Sequence, residues 1–266
     1  MDRRSRYAPL REGTITMRLR VLGSSGGYPA PGHPNTGFLL EHGEVRLWID
    51  AGTGTFAELQ RHMDFTKVDA ILLSHVHADH CADIYPVHVA VRYGIGGGLR
   101  IPLYAPPGAR EVLGSFLDPD GVEKLSEALD FHQIDAGETV EVAGVRFSFL
   151  RTDHPIHTLA IRGETEDGSF TYSADTGPGA DLAGFARGSG LLVCEATYQD
   201  DKMGAPLHLS ARQAGQAARE AGVRELALTH VWPTFDPEIS LKEARQETGE
   251  IPVRWARPGE VFEIGS

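Results

Sequence analysis

The feature that most constrains this chain is a cluster of ligand-type side chains directly after an apolar run. Residues 68–73 predict a buried strand, and His75, His77, Asp79 and His80 follow it. Alternate side chains of an extended segment share a face, so His75 and His77 can point at one ion. Asp79 and His80, where the chain turns into a helix, can point at another. The spacing therefore predicts a metal site.

Imidazole and carboxylate ligands together suit zinc, with manganese or iron(II) as alternatives. A purely structural interpretation is that Asp79 caps the helix predicted over residues 82–93 and that the histidines form an ordinary polar loop. Capping requires one polar residue, whereas this segment supplies four good ligands. Metal binding is therefore the better interpretation.

Further ligand-type residues follow other predicted strands. They are His154 after residues 147–150, Asp175 after 170–173 and His230 after 226–229. A lone histidine at a strand end is more often a surface residue, and Asp175 before Thr-Gly-Pro suits an ordinary turn. Three strand ends would all have to supply a ligand by accident, so we predict that these residues join the same metal site.

Strand-rich stretches alternate with helices along the whole sequence, which predicts sheets covered by helices. We expect residues 17–266 to form one domain. Residues 1–16 are Arg-rich and lack the apolar region of a secretion signal, so we expect a flexible tail. Cys81 and Cys194 give neither a disulfide framework nor a Cys-pair zinc motif, which favours a cytoplasmic location.

The charge balance limits the partners of the chain. A formal net charge of −12 leaves no general basic field to hold nucleic acid, so we expect a small-molecule substrate rather than long nucleic acid. No apolar run approaches a membrane span, and no membrane partner is expected. A homodimer is the default expectation for the oligomeric state.

The His75-x-His77-x-Asp79-His80 pattern, continued by His154, Asp175 and His230, resembles the metallo-β-lactamase superfamily over residues 17 to the end. The resemblance implies an α+β fold, a four-layer αββα sandwich. It also implies two divalent metal ions. The first would be held by His75, His77 and His154, the second by Asp79, His80 and His230, with Asp175 bridging the two.

The roles of His157 and Asp50 each have two interpretations. His157 is a rival to His154, although the His-Pro-x-x-Thr run that begins at His154 fits the family pattern better. Asp50 matches a family carboxylate that steadies a ligand histidine, and a helix N-cap is its alternative role.

Two bridged divalent ions lower the pKa of water and supply a bridging hydroxide, which predicts a hydrolase. The resemblance gives Asp79 the role of orienting this nucleophile or accepting its proton. Glu195 and His208 resemble the branch that contains transfer-RNA 3′-processing ribonuclease Z and small phosphodiesterases. There the matching histidine, held by the glutamate, stabilises the scissile phosphate and protonates the leaving oxygen. The alternative is that His208 caps a helix over residues 210–221.

The predicted activity is hydrolysis of a small cyclic or linear phosphodiester, with a lactonase or other esterase as the alternative. A transfer-RNA 3′-processing endonuclease is less favoured, because only a short hairpin separates His154 from Asp175 where common bacterial relatives carry a long arm. A non-catalytic metal-binding module is also less favoured, because every ligand is present. Aromatic candidates for the cleft, each also suited to the core, are Tyr28, Tyr85, Tyr93, Trp232 and Phe235.

Overall fold

The computed structural model describes residues 17–265, so the tail predicted at residues 1–16 lies outside the described residues. The strands, in chain order, are β1 Met17–Gly23, β2 Gly37–His42, β3 Val45–Ile49, β4 Ala70–Leu72, β5 Ile101–Ala105, β6 Leu129–Gln133, β7 Thr139–Val142, β8 Val145–Arg151, β9 Leu159–Thr165, β10 Gly168–Tyr172, β11 Leu191–Glu195, β12 Glu225–Thr229, β13 Val253–Trp255 and β14 Val261–Ile264. They form two seven-stranded sheets, β14-β1-β2-β3-β4-β5-β6 and β13-β12-β11-β10-β9-β8-β7.

Short helices join these strands. They are α1 Thr55–His62, α2 Ala78–Cys81, α3 Ile84–Val89, α4 Ala109–Ser115, α5 Gly121–Ser126, α6 Leu182–Phe185, α7 Ala211–Ala221 and α8 Pro237–Thr248. Helix α7 begins with a capping box, in which the Ser210 hydroxyl accepts from the Gln213 amide and the Gln213 side chain accepts from the Ser210 amide. None of the helices within residues 17–265 is both long and apolar enough to cross a lipid bilayer.

Strand alternation explains the layers. In β2, Phe38 and Leu40 pack into the core between the two sheets, whereas Leu39 faces the helices on the outside. In β11, Val193 packs between the sheets and Cys194 faces the outer helices of the second sheet. Because successive strand side chains point to opposite faces, two sheets whose strands are apolar on both sides need a helical layer on each outer face. The predicted αββα sandwich is confirmed.

Both sheets are mixed in the same way. The strands from β3 to β6 run parallel, as do those from β10 to β13, while the remaining neighbours are antiparallel. Ligand sites in such sheets form at the carboxyl ends of the parallel strands. The loops after β4, β10, β11 and β12 therefore meet along one edge of the sandwich.

Two helix predictions were wrong at their boundaries. The helix predicted over residues 82–93 starts earlier, at α2, and is broken before α3, after which Ala90–Gly94 forms a π turn. Pro86 lies in the first turn of α3, where its missing N–H costs nothing. The local pattern of residues 121–129 also predicts a helix over that whole stretch, but the helix ends at Ser126, because Leu129 already pairs with Ile101 of β5.

The connection between β9 and β10 is a tight hairpin in which Thr165 opposes Gly168. This hairpin occupies the stretch between His154 and Asp175, and it confirms that no long arm is inserted there.

Candidate metal centre

All the predicted ligand side chains converge on the carboxyl edge of the two sheets. His75 and His77 follow β4, and Asp79 and His80 lie in α2, so the first sheet supplies four of them. The second sheet supplies the other three, which are His154 after β8, Asp175 after β10 and His230 after β12. The ligand atoms of these seven residues fall into two groups, each compact enough to hold one ion: His75, His77, His154 with Asp175, and Asp79, His80 with His230. A third compact group overlaps both of them and adds His208 to Asp175 and His230.

The spacing in the first group fits a tetrahedral ion. His77 Nδ1 lies 3.2 Å from His75 Nε2 and 3.3 Å from His154 Nε2. Asp175 Oδ2 lies 3.6 Å from His75 Nε2 and 3.9 Å from His154 Nε2. Zinc with ligand bonds of about 2.0–2.1 Å in tetrahedral geometry separates its ligand atoms by about 3.3 Å.

The second group has the same spacing around the other oxygen of Asp175. His230 Nε2 lies 3.1 Å from Asp79 Oδ2 and 3.5 Å from Asp175 Oδ1. His80 Nε2 lies 3.2 Å from Asp175 Oδ1 and 3.7 Å from Asp79 Oδ2. Asp175 therefore presents one carboxylate oxygen to each group, which is the geometry of a bridging ligand.

Two buried atoms at the centre of the cluster have unused bonding capacity. Among residues 17–265, neither His80 Nε2 nor Asp175 Oδ1 has an aligned hydrogen-bond partner, although the two atoms lie close together. Buried polar atoms are normally paired, and an unpaired one points to a missing ion or water. The donor set and these two atoms together fit metal ions.

The first sheet fixes two ligand histidines through Asp50 and Ser74. The fully buried Asp50 carboxylate accepts hydrogen bonds from the Ser74 amide at 2.7 Å, the Ser74 hydroxyl at 2.7 Å, His80 Nδ1 at 2.8 Å and the Tyr172 hydroxyl at 2.9 Å. Because the Ser74 hydroxyl donates to Asp50, its oxygen accepts from His75 Nδ1 at 2.9 Å. In their neutral forms, His75 and His80 therefore carry the proton on Nδ1 and present Nε2 to a metal.

The second sheet repeats this arrangement with Glu195 and Thr197. The Thr197 hydroxyl donates to Glu195 Oε2 at 2.7 Å, so its oxygen accepts from His230 Nδ1 at 2.8 Å. Glu195, which is fully buried, also accepts the amide of Thr176 at 2.6 Å, next to Asp175. A carboxylate and a hydroxyl thus orient one ligand histidine on each side of the centre.

The pKa values of the ligand histidines shift in opposite directions in the two ligand groups. Burial lowers the pKa of His75, His77 and His154, which keeps these rings neutral and their lone pairs free. Burial also opposes a charge on His80 and His230, but the Asp175 and Asp79 carboxylates outweigh it and raise both pKa values. The field at the second group therefore favours positive charge, as a cation site requires.

The backbone beneath the cluster is strained. Asp50, Ala174 and His230 adopt left-handed φ angles of 54°, 51° and 57°. Each costs an L-residue roughly 1–2 kcal/mol, and such strain is typical of functional sites. These turns end β3, β10 and β12 abruptly, so that the side chains at or just after the strand ends reach the shared edge.

His208 and Glu195, the predicted catalytic pair, lie in contact with each other. His208 Nδ1 lies 3.1 Å from Glu195 Oε1 and 3.2 Å from Oε2, and its ring stacks at 5.4 Å on that of His230. Ser210 rather than His208 caps α7, which removes the structural alternative for His208.

The positions of His157 and Asp50 in the structure decide between their alternative roles. His157 pairs with Asp135 at 2.8 Å and is absent from both ligand groups of the described chain. Gly54 occupies the N-cap of α1, so Asp50 does not cap it. Both cysteines are buried, and burial raises the pKa of the Cys81 thiol to about 12, so neither offers a thiolate.

Sequence reasoning missed the two hydroxyls and Tyr172. A hydroxyl residue next to or near a ligand is too common to be informative, although Ser74 directly precedes His75 and Thr197 lies two residues after Glu195. The phenol of Tyr172 reaches Asp50 from the opposite sheet, and no sequence pattern links those positions.

Replacing Thr197 with valine removes the hydroxyl and keeps the shape. We expect the zinc affinity of the second ligand group to fall by about 10–100-fold, because His230 loses the acceptor that fixes its Nε2 toward the ion. Competition titration with a chromogenic chelator measures this affinity. Thr197→Ser, which keeps the hydroxyl, is the matched control, and equal zinc affinities for the two variants would contradict the assigned role.

Comparison with known proteins agrees with this geometry. The Beta-lactamase superfamily domain matches residues 45–231. The chain is 36% identical over 257 residues to Uncharacterized protein Rv1339 of Mycobacterium tuberculosis, covering 94% of this chain and 93% of that protein. It is 31% identical over 255 residues to Probable metallo-hydrolase YhfI of Bacillus subtilis, covering 93% and 100%. It is 29% identical over 266 residues to Ribonuclease Z of Methanopyrus kandleri, covering 86% and 91%.

Solved structures show the same fold. The crystal structure of YhfI, a metallo-beta-lactamase fold protein, superposes with a TM-score of 0.85 at 27% identity, covering 94% of this chain and all of that one. A diphosphatase from the PhnP family superposes with a TM-score of 0.74 at 21% identity, covering 94% and 99%. From the matched domain, the relatives and the site geometry, the chain belongs to the beta-lactamase superfamily of metallo-hydrolases.

Proposed function

We propose that this protein is a metal-dependent phosphodiesterase that hydrolyses a small cyclic or linear phosphodiester. The observation that carries the proposal is the position of His208. Its ring centroid lies 5.3 Å from that of His154 and 5.4 Å from that of His230, so it borders both ligand groups. A histidine placed beside a metal centre, and itself held by a buried carboxylate, is suited to transfer a proton to a leaving group.

The chemistry of the leaving group explains why a proton donor such as His208 is needed for phosphodiester hydrolysis. An alkoxide leaves poorly, so a phosphodiester of an ordinary alcohol needs a proton donor at the leaving oxygen. Glu195 accepts a hydrogen bond from His208 Nδ1, which fixes the orientation of the ring. Nε2 is then the nitrogen that donates to the substrate.

The proposed ligands divide as the two groups do, with His75, His77 and His154 for one ion and the remaining residues for the other, bridged by Asp175. Zinc suits the donor set, with manganese or iron(II) as alternatives. When bound, two such ions activate water and neutralise charge that develops on the phosphate. The Gly27 amide donates to Asp79 Oδ2 at 2.8 Å and fixes this carboxylate beside His230 Nε2, and the proposed role of Asp79 would be to orient the water.

Two similar proteins have names that fit phosphorus chemistry, a ribonuclease Z and a diphosphatase. The tight β9–β10 hairpin and the net charge of −12 favour a small substrate over transfer RNA.

The test compares two substrates on the zinc-loaded protein. We expect turnover of bis(p-nitrophenyl) phosphate that disappears after chelation and returns with zinc, at a kcat/KM well above that for a simple γ-lactone. Metal analysis of the same samples reports the number of ions per chain. Lactone turnover without phosphodiester turnover would replace the proposal with the esterase alternative.

A further inference from the structure

A cavity of about 950 Å³ lies at the end of the first sheet that is opposite the metal centre. Side chains of β1, β2 and β3 form its floor, and the segment from the end of α1 to the start of β4 forms its wall. The metal ligands follow the carboxyl ends of their strands, whereas Arg18 and Arg46 of this cavity lie near the amino ends of β1 and β3. The cavity is therefore separate from the metal centre.

The floor of this cavity carries four charged side chains. They are Arg18, Arg20, Glu41 and Arg46. Leu19 and Leu40 beside them pack between the two sheets, so the alternation of side chains turns the charged residues to the outer face. Glu41 pairs in register with Arg18 on one side and with Arg46 on the other. One carboxylate is thus placed among three guanidinium groups.

The shared carboxylate leaves positive charge on the floor uncompensated. The carboxylate oxygens of Glu41 lie 3.2 Å from a guanidinium nitrogen of Arg20, 3.6 Å from one of Arg18 and 3.8 Å from one of Arg46. A charge-assisted hydrogen bond is shorter, about 2.7–2.9 Å. Arg20 Nε is buried and has no hydrogen-bond partner among residues 17–265. Only 18–27% of each arginine side chain is exposed, so water compensates these charges in part. An ordinary cross-strand ion pair matches one cation with one anion, which is not the arrangement here.

The wall of the cavity does not supply the missing negative charge. Its carboxylates at Asp64 and Asp69 already accept backbone amides, from Thr66 at 3.0 Å and from β3 at 2.8 Å. Lys67 adds a further cation to the wall. Lys and Arg outnumber Asp and Glu by five to four in the lining, whereas Asp and Glu outnumber Lys and Arg by 37 to 25 in the whole chain. The cavity is a local basic site on an acidic protein.

We propose that this cavity binds a small ligand through a dianionic phosphate group, at a site separate from the metal centre. A phosphate monoester presents three free oxygens on one centre, one for each guanidinium group of the floor, whereas a carboxylate presents two. The volume of the cavity falls within the range of small-molecule sites, about 300–1,000 Å³, and leaves room for an organic part beside the phosphate. The inference does not depend on which reaction the metal centre performs.

Calorimetric titration of the zinc-loaded protein with inorganic phosphate and with glucose 6-phosphate tests the site. Arg20→Gln should weaken binding by about tenfold or more, because it removes charge-assisted hydrogen bonds, and should leave the zinc content unchanged. Arg100→Gln removes the same charge from an exposed arginine that pairs with Asp130, and it is the matched control. Tighter binding of the sugar phosphate identifies an organic phosphate as the ligand, and equal binding identifies free phosphate. Absence of binding of both, or equal affinities in Arg20→Gln and wild type, would overturn the inference.

Metal-free samples separate this cavity from the metal centre, where zinc ions also attract phosphate. The samples are Asp175→Asn and wild-type protein stripped of metal by chelation. Phosphate binding should persist in both, and Arg20→Gln should weaken it in both. Glu41→Gln should tighten binding by about fivefold, because it leaves one more positive charge uncompensated on the floor of the cavity. Loss of phosphate binding on removal of the metal alone would assign the anion to the metal centre and overturn the inference.

Discussion

Replacing Asp175 with alanine is expected to abolish stable binding of both ions and to reduce hydrolysis at least about a hundredfold. Asp175 offers one oxygen to each ligand group, at 3.6 Å from His75 Nε2 and 3.2 Å from His80 Nε2. It is also the strongest influence that raises the pKa of His80 and His230 against burial. Its loss therefore removes a ligand and the field that favours a cation. Metal analysis after gel filtration measures the result.

The Asp175→Asn variant distinguishes loss of the carboxylate charge from misfolding, because it keeps the shape of the side chain and loses only its charge. We expect it to show the same loss of metal with an unchanged far-ultraviolet circular dichroism spectrum. His157→Ala is the matched control, since His157 is a nearby histidine that pairs with Asp135 outside the ligand groups. Full metal content in Asp175→Asn and Asp175→Ala would show that the cluster is not the metal site.

The second large effect is expected at His208. His208→Ala should lower kcat for a dialkyl or cyclic phosphodiester by about 10²–10⁴-fold, the usual contribution of a positioned acid. A p-nitrophenolate leaves without protonation, so the loss on bis(p-nitrophenyl) phosphate should be much smaller. Metal content should stay at the wild-type value, because His208 is not among the proposed ligands.

The difference between the two leaving groups identifies the role of His208. Equal losses on both esters would assign it to binding the phosphate rather than to proton transfer. Unchanged rates on both would return it to a structural role. Glu195→Gln should follow the same leaving-group pattern if Glu195 acts by holding His208, but it also disturbs Thr197 and should weaken zinc binding as well.

The sequence allowed the sandwich and the assembly of the ligand cluster to be predicted for a physical reason. Successive side chains of a strand point to opposite faces of the sheet. An uninterrupted apolar run such as residues 191–194 therefore predicts a strand that is covered on both faces. Ligand-type residues directly after such strands then share an edge of the sheet. The common orientation of His75 and His77 could be predicted without long-range information, because residues two positions apart on an extended segment share a face.

What could not be predicted depended on contacts between distant segments. Burial of Leu129 against β5 ends α5 earlier than its local pattern suggests. The choice of His154 over His157 requires the loop after β8, whose His154 Nδ1 is tied to the Leu207 carbonyl, 53 positions along the chain. The roles of Ser74 and Thr197 depend on where one hydroxyl proton points, which only the complete hydrogen-bond network decides.

Each proposed ion would take ligands from both halves of the sandwich, since His75 and His77 follow a strand of the first sheet and His154 and Asp175 follow strands of the second. Ion binding and the docking of the two sheets are then thermodynamically linked, so that either one strengthens the other. With zinc as the proposed metal, the free zinc concentration would become a variable of folding as well as of catalysis. A chain synthesised under zinc starvation would lose conformational stability along with its activity, and the cell's metal supply would set how much of the protein persists.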